Sequence, residues 1–400
     1  MKYIVILCDG MADEPLEELG GRTPLEAAET GNMDRLAADS EIGMVRTVPV
    51  GMAPGSDTAN LSVIGYDPRK YYSGRSPLEA LSIGAEMGEK DVSFRCNLVT
   101  LSEEEDKYED RVILDHSSGE IPTEEAAVLV EALRKGLERE GYTFYAGTSY
   151  RHLLIQKDGK VTELTPPHDI LTKKIGEYLP GDPVLREMMV KSYDILKDHP
   201  VNVQRRAEGK NPANSAWFWG AGTRPALTSF EEKNGVKGAM ISAVDLLKGI
   251  AAGSGMHNII VDGANGGLHT NYSGKAQAAV KALTEDGYDF VYVHIEAPDE
   301  MGHQGSVKDK IKAIEYIDDQ VIGPVAEKLR QSGVDFRMLI LPDHPTPVRV
   351  RTHTSDPVPY LLYDSTEVQE GCGTYCEKTG RESGKMLEEG YRLIDHLLER

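Results

Sequence analysis

Positive charge is what this chain has least of: 44 Lys and Arg stand against 65 Asp and Glu in 400 residues, a formal net charge of −21. A nucleic-acid footprint needs clustered Lys and Arg along a phosphate backbone, so no nucleic acid is expected as a partner. A small phosphate ester remains compatible, because a few Arg or Lys side chains and bound metal ions can raise a local positive field that the total conceals. Cysteine is also sparse. Cys8, Cys96, Cys372 and Cys376 are too few and too scattered for a disulfide framework, which fits a cytoplasmic protein. Cys372 and Cys376 have no second Cys or His pair beside them to complete a structural zinc site. No apolar run is long enough for a membrane span. The opening MKYIVILCDG holds only about seven apolar residues before an Asp, too short for a signal segment, and reads as a first core strand. There is no G-x-x-x-x-G-K-[ST] loop for ATP, no internal repeat and no low-complexity segment.

What is present is a large apolar fraction, 40% of the residues, enough to bury a sizeable core divided between two domains. The last 170 or so residues alternate short apolar runs with amphipathic stretches. KGAMISAVDLLKGIAA reads as a helix, MHNIIVDG as a strand, KAQAAVKALTEDG as a helix and DFVYVHIEAPD as a strand. A long helix over VKDKIKAIEYIDDQVIGPVAEKLRQSG, strands at DFRMLILPD and PVPYLLYD, and a closing helix at EEGYRLIDHLLER complete the series. Such alternation predicts an α/β fold with a doubly wound, mainly parallel sheet. Residues 1–85 share this texture. Between 86 and 229 it changes to charged, hairpin-like runs such as LSEEEDKYEDRVILD and LLIQKDGKVTELTPP, with one helix at TEEAAVLVEALRKGLEREG. We therefore expect a discontinuous core domain, 1–85 with 230–400, and a smaller α/β domain inserted at 86–229.

Ligands of open parallel sheets gather at the carboxyl ends of the strands. Asp9, Asp299 and the pair Asp343–His344 sit at such ends, His353 lies in the loop THTSDPVP, and His303 follows Asp299 at a helical spacing of four. Each has an ordinary alternative: Asp9 as a turn residue before Gly10, Asp299 as a helix cap, Asp343–His344–Pro345 as a closed loop, His353 as a surface imidazole. Together, three Asp and three His match the mixed oxygen and nitrogen set of two divalent cations. Ser56, after a glycine and before a helix-compatible stretch, is either a capping serine or a nucleophile whose phosphoryl group would meet helix amides.

The ordered motifs CDGMAD, GSDTANLSVIGYDP, HIEAPDEMGHQG, LPDHPTPV and THTSDPVP resemble the alkaline phosphatase superfamily, and within it the archaeal-type cofactor-independent phosphoglycerate mutases, along nearly the whole chain. The resemblance implies one metal held by Asp9, Ser56, Asp343 and His344 and another by Asp299, His303 and His353. The set suits Mn²⁺ and accepts Mg²⁺, Co²⁺ or Zn²⁺. It implies interconversion of 3-phosphoglycerate and 2-phosphoglycerate through a phosphoserine at Ser56, with the inserted domain as a lid that keeps water out. Net hydrolysis, or transfer to another hydroxyl acceptor in the manner of a homoserine kinase, is the alternative. Candidate groups for the substrate carboxylate and for proton exchange are His116, Arg151, His152, Arg205, Arg206 and Lys237, while Trp217 and Trp219 read as packing residues. Here the serine lies in Gly-Ser-Asp rather than Asn-Ser-Glu, which leaves the role of Asp57 open, as the sequence leaves the oligomeric state.

Overall fold

The computed structural model describes residues 1–399 and divides into two compact units, Met1–Tyr72 with the stretch from Leu227 onward, and Ser73–Ala226. In chain order the strands are β1 (Lys2–Cys8), β2 (Ser40–Val45), β3 (Val92–Leu101), β4 (Ile113–Asp115), β5 (Tyr142–Tyr145), β6 (Arg151–Gln156), β7 (Ser215–Thr223), β8 (Gly238–Ile241), β9 (His257–Ile259), β10 (Phe290–Ile295), β11 (Phe336–Leu341), β12 (Val358–Asp364) and β13 (Met386–Leu387).

The first unit is built on an eight-stranded sheet in the order β13-β2-β12-β11-β1-β10-β8-β9. Strand β1, KYIVILC, is apolar on both faces and takes a central place with β10 and β11 parallel on either side. Ile4, Ile6 and Cys8 join one core, packed with the helices Tyr272–Thr284, Val307–Ile317 and Gly323–Gln331. The sheet is mixed: β12 runs antiparallel to both β11 and β2, and the other pairings are parallel. Residues 307–331 form one helical run as expected, with a wider π-helical turn at Asp318–Ile322. Pro324, which has no N–H to give to a preceding carbonyl, lies just beyond it.

The second unit has a smaller sheet of five antiparallel strands, with β3 between β6 and β7. Its first helix, Arg75–Ser82, belongs to this unit because Ser76 hydrogen-bonds Ser93 of β3. The chain thus passes into the unit at Ser73, before the expected residue 86.

Three local expectations are corrected. KGAMISAVDLLKGIAA splits into strand β8 and the helix Asp245–Gly253. Its apolar start is a strand buried on both faces, which periodicity alone does not separate from a buried helix. LLIQKDGKVTELTPP forms no hairpin, since both edges of β6 are taken by β3 and β5. The helices Pro183–Leu196 and Pro200–Ala207 were not foreseen; each opens on Pro, with Asp182 and His199 capping the first-turn amides. Arg400, the last residue of the expected closing helix, lies outside the described residues.

At the amino end of β11, buried Arg337 pairs through Nε with Asp364 across the strands at 2.6 Å, its Nη1 donates to the His396 and Leu397 carbonyls, and its Nη2 pairs with Glu399. Removing one member of a buried pair leaves the other charge stranded. Arg337→Met should cost about 3 kcal/mol in urea denaturation, and a loss below about 1 kcal/mol would reduce the pair to a surface-like contribution.

Candidate metal and phosphoryl-transfer site

The three acids converge because their strands are neighbours. Asp9 directly follows β1, Asp343 follows β11 by two residues, and Asp299 lies in the first turn of the helix Ala297–Gln304 that follows β10. All three are buried. Gly10 permits this convergence: it has φ +62°, and a Cβ there would stand 2.6 Å from the Asp299 backbone.

One group of donors surrounds His344 Nε2, with Ser56 Oγ at 3.1 Å, Asp343 Oδ2 at 3.3 Å and Asp9 Oδ1 at 3.7 Å. Asp343 is held by the backbone N–H groups of Gly10 and His344 on Oδ1 and by the Asn60 amide on Oδ2. Asp9 Oδ2 lies 2.9 Å from His294 Nε2, yet Asp9 Oδ1 is buried with no hydrogen-bond partner. An ionised oxygen in that position is costly unless a cation meets it. In a second group, His303 Nε2 and His353 Nε2 face each other at 3.0 Å, and the Asp299 oxygens lie 3.3 Å from His303 and 3.4 Å from His353. His303 Nδ1 is 3.0 Å from the Arg351 carbonyl, so its N–H is spent there and Nε2 points into the cluster. The Thr346 hydroxyl donates to Asp299 and lies 3.3 Å from His344 Nδ1, linking the groups. Asp9, Asp343 and His344, and likewise Asp299, His344 and His353, offer ligand atoms within 4.8 Å of one another. The donor sets therefore fit two divalent cations.

The electrostatics agree. Burial, then the carboxylates of Asp343 and Asp299, push Asp9 well above the carboxylate range. Burial raises Asp299 too, but hydrogen bonds from His303 and His353 outweigh it and hold its carboxyl well below that range. The Asp299 hydrogen bond lifts His303 to about 9, while burial lowers His344 and takes His294 to about 3.

Ser56 is the first residue of the helix Ser56–Val63, directly after Gly55. Asp57 accepts from Thr58 N–H at 2.8 Å and from the Tyr72 hydroxyl at 2.7 Å. The remaining candidates divide. In the second unit His116 sits beside Tyr150 and His168, and His168 beside Trp219, with ring centroids 5.2–6.1 Å apart. Exposed Arg151 lies over Tyr150. The others lie outside this cluster's contacts. Arg205 is buried among Glu125, Asn211 and Ser118, and Arg206 pairs with Glu103. His152 faces the core, lowered by burial to about 4. Lys237 precedes β8 at the amino edge of the large sheet, opposite the acids, and lies over Tyr288. Trp217 is buried, its N–H on the Thr165 carbonyl. Sequence reading missed His294, Thr346 and Asn60. The signal for His294 was a polar residue on alternate register in an otherwise apolar strand, FVYVHI.

Comparison with known proteins gives the same direction. A family model for 2,3-bisphosphoglycerate-independent phosphoglycerate mutase matches residues 37–202. The chain is 49% identical over 406 residues to the 2,3-bisphosphoglycerate-independent phosphoglycerate mutase of Methanosarcina barkeri, covering 100% of both. It belongs to the archaeal-type 2,3-bisphosphoglycerate-independent phosphoglycerate mutases. A probable member of this family from Geobacter sulfurreducens is 48% identical over 406 residues, again with full coverage of both chains. Among solved structures, a Pyrococcus horikoshii protein superposes with a TM-score of 0.83 at 32% identity, covering 100% of this chain and 97% of that one. The cofactor-independent phosphoglycerate mutase of Thermoplasma acidophilum gives 0.67 at 28% identity, covering 100% and 99%.

His303, lifted to about 9 by the Asp299 hydrogen bond, holds its proton near neutral pH in the metal-free mutase, and a cation taken up by its Nε2 would displace it. Metal binding should therefore release protons, and affinity should rise with pH up to about 9, where His303 has lost its own. Calorimetry in two buffers of different ionisation enthalpy, between pH 6.5 and pH 9, would show it. Heats independent of buffer would contradict the assignment.

Proposed function

We propose that this mutase interconverts 3-phosphoglycerate and 2-phosphoglycerate without 2,3-bisphosphoglycerate, through a phosphoserine on Ser56. The observation that carries the reading is Ser56 Oγ at the start of its helix, 3.1 Å from His344 Nε2 and beside two buried carboxylates. Asp9, Ser56, Asp343 and His344 would hold one divalent cation and Asp299, His303 and His353 the other, supplying positive charge that lowers the serine hydroxyl pKa and neutralises the transferring phosphoryl group. Mn²⁺ suits these ligands, as do Mg²⁺, Co²⁺ and Zn²⁺.

In the first step Ser56 gives up its hydroxyl proton, the Oγ–P bond forms as the bond from phosphorus to the 3-oxygen breaks, and that oxygen takes up a proton. The return step reverses this at the 2-oxygen: the glycerate presents its 2-hydroxyl, which gives up a proton and attacks phosphorus, and the serine oxygen regains a proton. The first-turn amides of the helix Ser56–Val63 offer donors to the phosphoryl oxygens. One of them, Thr58 N–H, is already taken by Asp57, whose other oxygen accepts from the Tyr72 hydroxyl, so the amides ahead of it are the ones left for the phosphoryl group. His116 and Arg151 are our assignment for the carboxylate and for the hydroxyl protons: a guanidinium binds a carboxylate bidentately, and an imidazole exchanges protons near neutral pH. Arg205 and Arg206 are assigned to structural ion pairs.

Phosphorus NMR with 3-phosphoglycerate and Mn²⁺, without added bisphosphoglycerate, should show the 2-phosphoglycerate signal growing, and a chelator should stop it. Free phosphate as the main product would replace the mutase reading by hydrolysis. Ser56→Ala should lower turnover by more than about 10³-fold and leave no phosphoserine detectable by mass spectrometry; substantial residual mutase activity would sink the phosphoserine route. Arg151→Met should raise KM for phosphoglycerate while Mn²⁺ affinity stays at the wild-type value, and an unchanged KM would remove Arg151 from the substrate site.

A further inference from the structure

Beneath Ser56 lies a buried polar chain that the reaction as described does not use. Strand β10 turns Val291, Val293 and Ile295 into the core shared with helices Val307–Ile317 and Gly323–Gln331, so Tyr292 faces the other side of the sheet. Tyr292 is fully buried, and its hydroxyl donates to Asn60 Oδ1 at 2.6 Å. Asn60, also fully buried, sits one turn after Ser56 on the same helix. Its Nδ2 donates to the Ser56 carbonyl at 2.8 Å and to Asp343 Oδ2 at 2.9 Å. A phenol hydrogen finds an acceptor only at the amide oxygen, so Tyr292 decides which way the amide points. With Oδ1 so engaged, both Nδ2 hydrogens are committed, one to the backbone of the nucleophile and one to a carboxylate of the metal set. Asp343 Oδ1 is already fixed by two backbone N–H groups. Asn60 therefore completes the clamp on that carboxylate and leaves Oδ2 its open side towards His344 Nε2, 3.3 Å away.

We propose that Asn60 and Tyr292 are positioning residues: they set the orientation of Asp343 and the backbone of Ser56, and through these the metal affinity and turnover of the site. A purely structural alternative, a buried amide satisfied for packing alone, would need no tie to both the nucleophile and a ligand. Phenylalanine would fill the space of Tyr292 equally well. The proposal rests on Asp343 and Ser56 acting as metal-site residues.

Tyr292→Phe removes a single oxygen, and Asn60→Leu removes the amide. The test is Mn²⁺ titration of the full-length metal-free protein, followed by electron paramagnetic resonance of free Mn²⁺, with thermal unfolding of the same samples and steady-state kinetics. Supporting ligands of this kind are worth about 10- to 100-fold in metal affinity. We expect Tyr292→Phe to raise the Kd for Mn²⁺ about tenfold and to lower kcat while KM stays close to wild type. Asn60→Leu should do the same more strongly. If Asn60→Leu does not fold, Tyr292→Phe still decides. Wild-type Mn²⁺ affinity in Tyr292→Phe, with or without a lower melting temperature, would assign the pair to packing and overturn the proposal. Failure of the wild-type protein itself to bind Mn²⁺ would instead overturn the metal-site reading on which the proposal rests.

Discussion

Three buried carboxylates at the ends of three adjacent strands are the constraint around which the first unit is organised. Asp9, Asp299 and Asp343 are brought together by the order β11-β1-β10, and burial takes from each carboxyl group the water that would otherwise hydrate it, which is costly. The protein meets this cost with directed donors. Two backbone amides and Asn60 bind Asp343, His294 binds Asp9, and Thr346, His303 and His353 bind Asp299. One oxygen, Asp9 Oδ1, is left without any. A site that satisfies every acid but stops short at one buried oxygen is built for a cation rather than for a salt bridge.

The loops carrying these acids are braced from behind by a second charge. Lys310 is wholly buried on the helix Val307–Ile317, and its ammonium donates to the Ala12 carbonyl, the Thr346 carbonyl and Asp13. Those acceptors belong to the loop after β1 and the loop after β11. All three donors of the ammonium are engaged, so it holds the two loops in register but has none left for a ligand. Asp13 in turn accepts from Val348 N–H and neutralises the lysine. Fixed charge thus secures the geometry, and the charge that binds phosphate is supplied separately.

How much of this was legible follows from where the information sits. The three acids, His344 and His303 were readable because they stand at the ends of apolar runs or at a helical spacing, and loop residue His353 because the motifs occur in a particular order. β1 announced itself as a central strand by being apolar on both faces. β8 did not, since GAMI is too short to show a period, and LLIQKDGKVTELTPP failed as a hairpin because strand pairing elsewhere had already filled both edges of β6. The supporting residues were hidden for a different reason. Asn60, Tyr292, Thr346 and Lys310 are ordinary members of their own helices, strands and loops, and gain their roles from partners tens to hundreds of residues away. Among the substrate candidates, sequence could not tell Arg205, buried in an ion pair with Glu125, from exposed Arg151.

A chain of formal charge −21 that handles a phosphate ester looks contradictory until the charges are counted locally. The Lys310–Asp13 pair is neutral, and the imidazole of His344 is held towards its neutral form by burial. The donor sets then carry the charge of three carboxylates, Asp9, Asp299 and Asp343, against that of two divalent cations. Three negative charges against four positive ones leave the loaded site with an excess that a phosphoryl group can meet, in a buried place where each charge acts more strongly than in water. The excess exists only once the cations are in place; without them burial and the neighbouring carboxylates oppose the charge on Asp9. Loading the cations and readying the site for an anion are therefore one event. A metal-free protein presents phosphate with buried carboxylates, and its overall acidity then works against binding rather than being irrelevant to it.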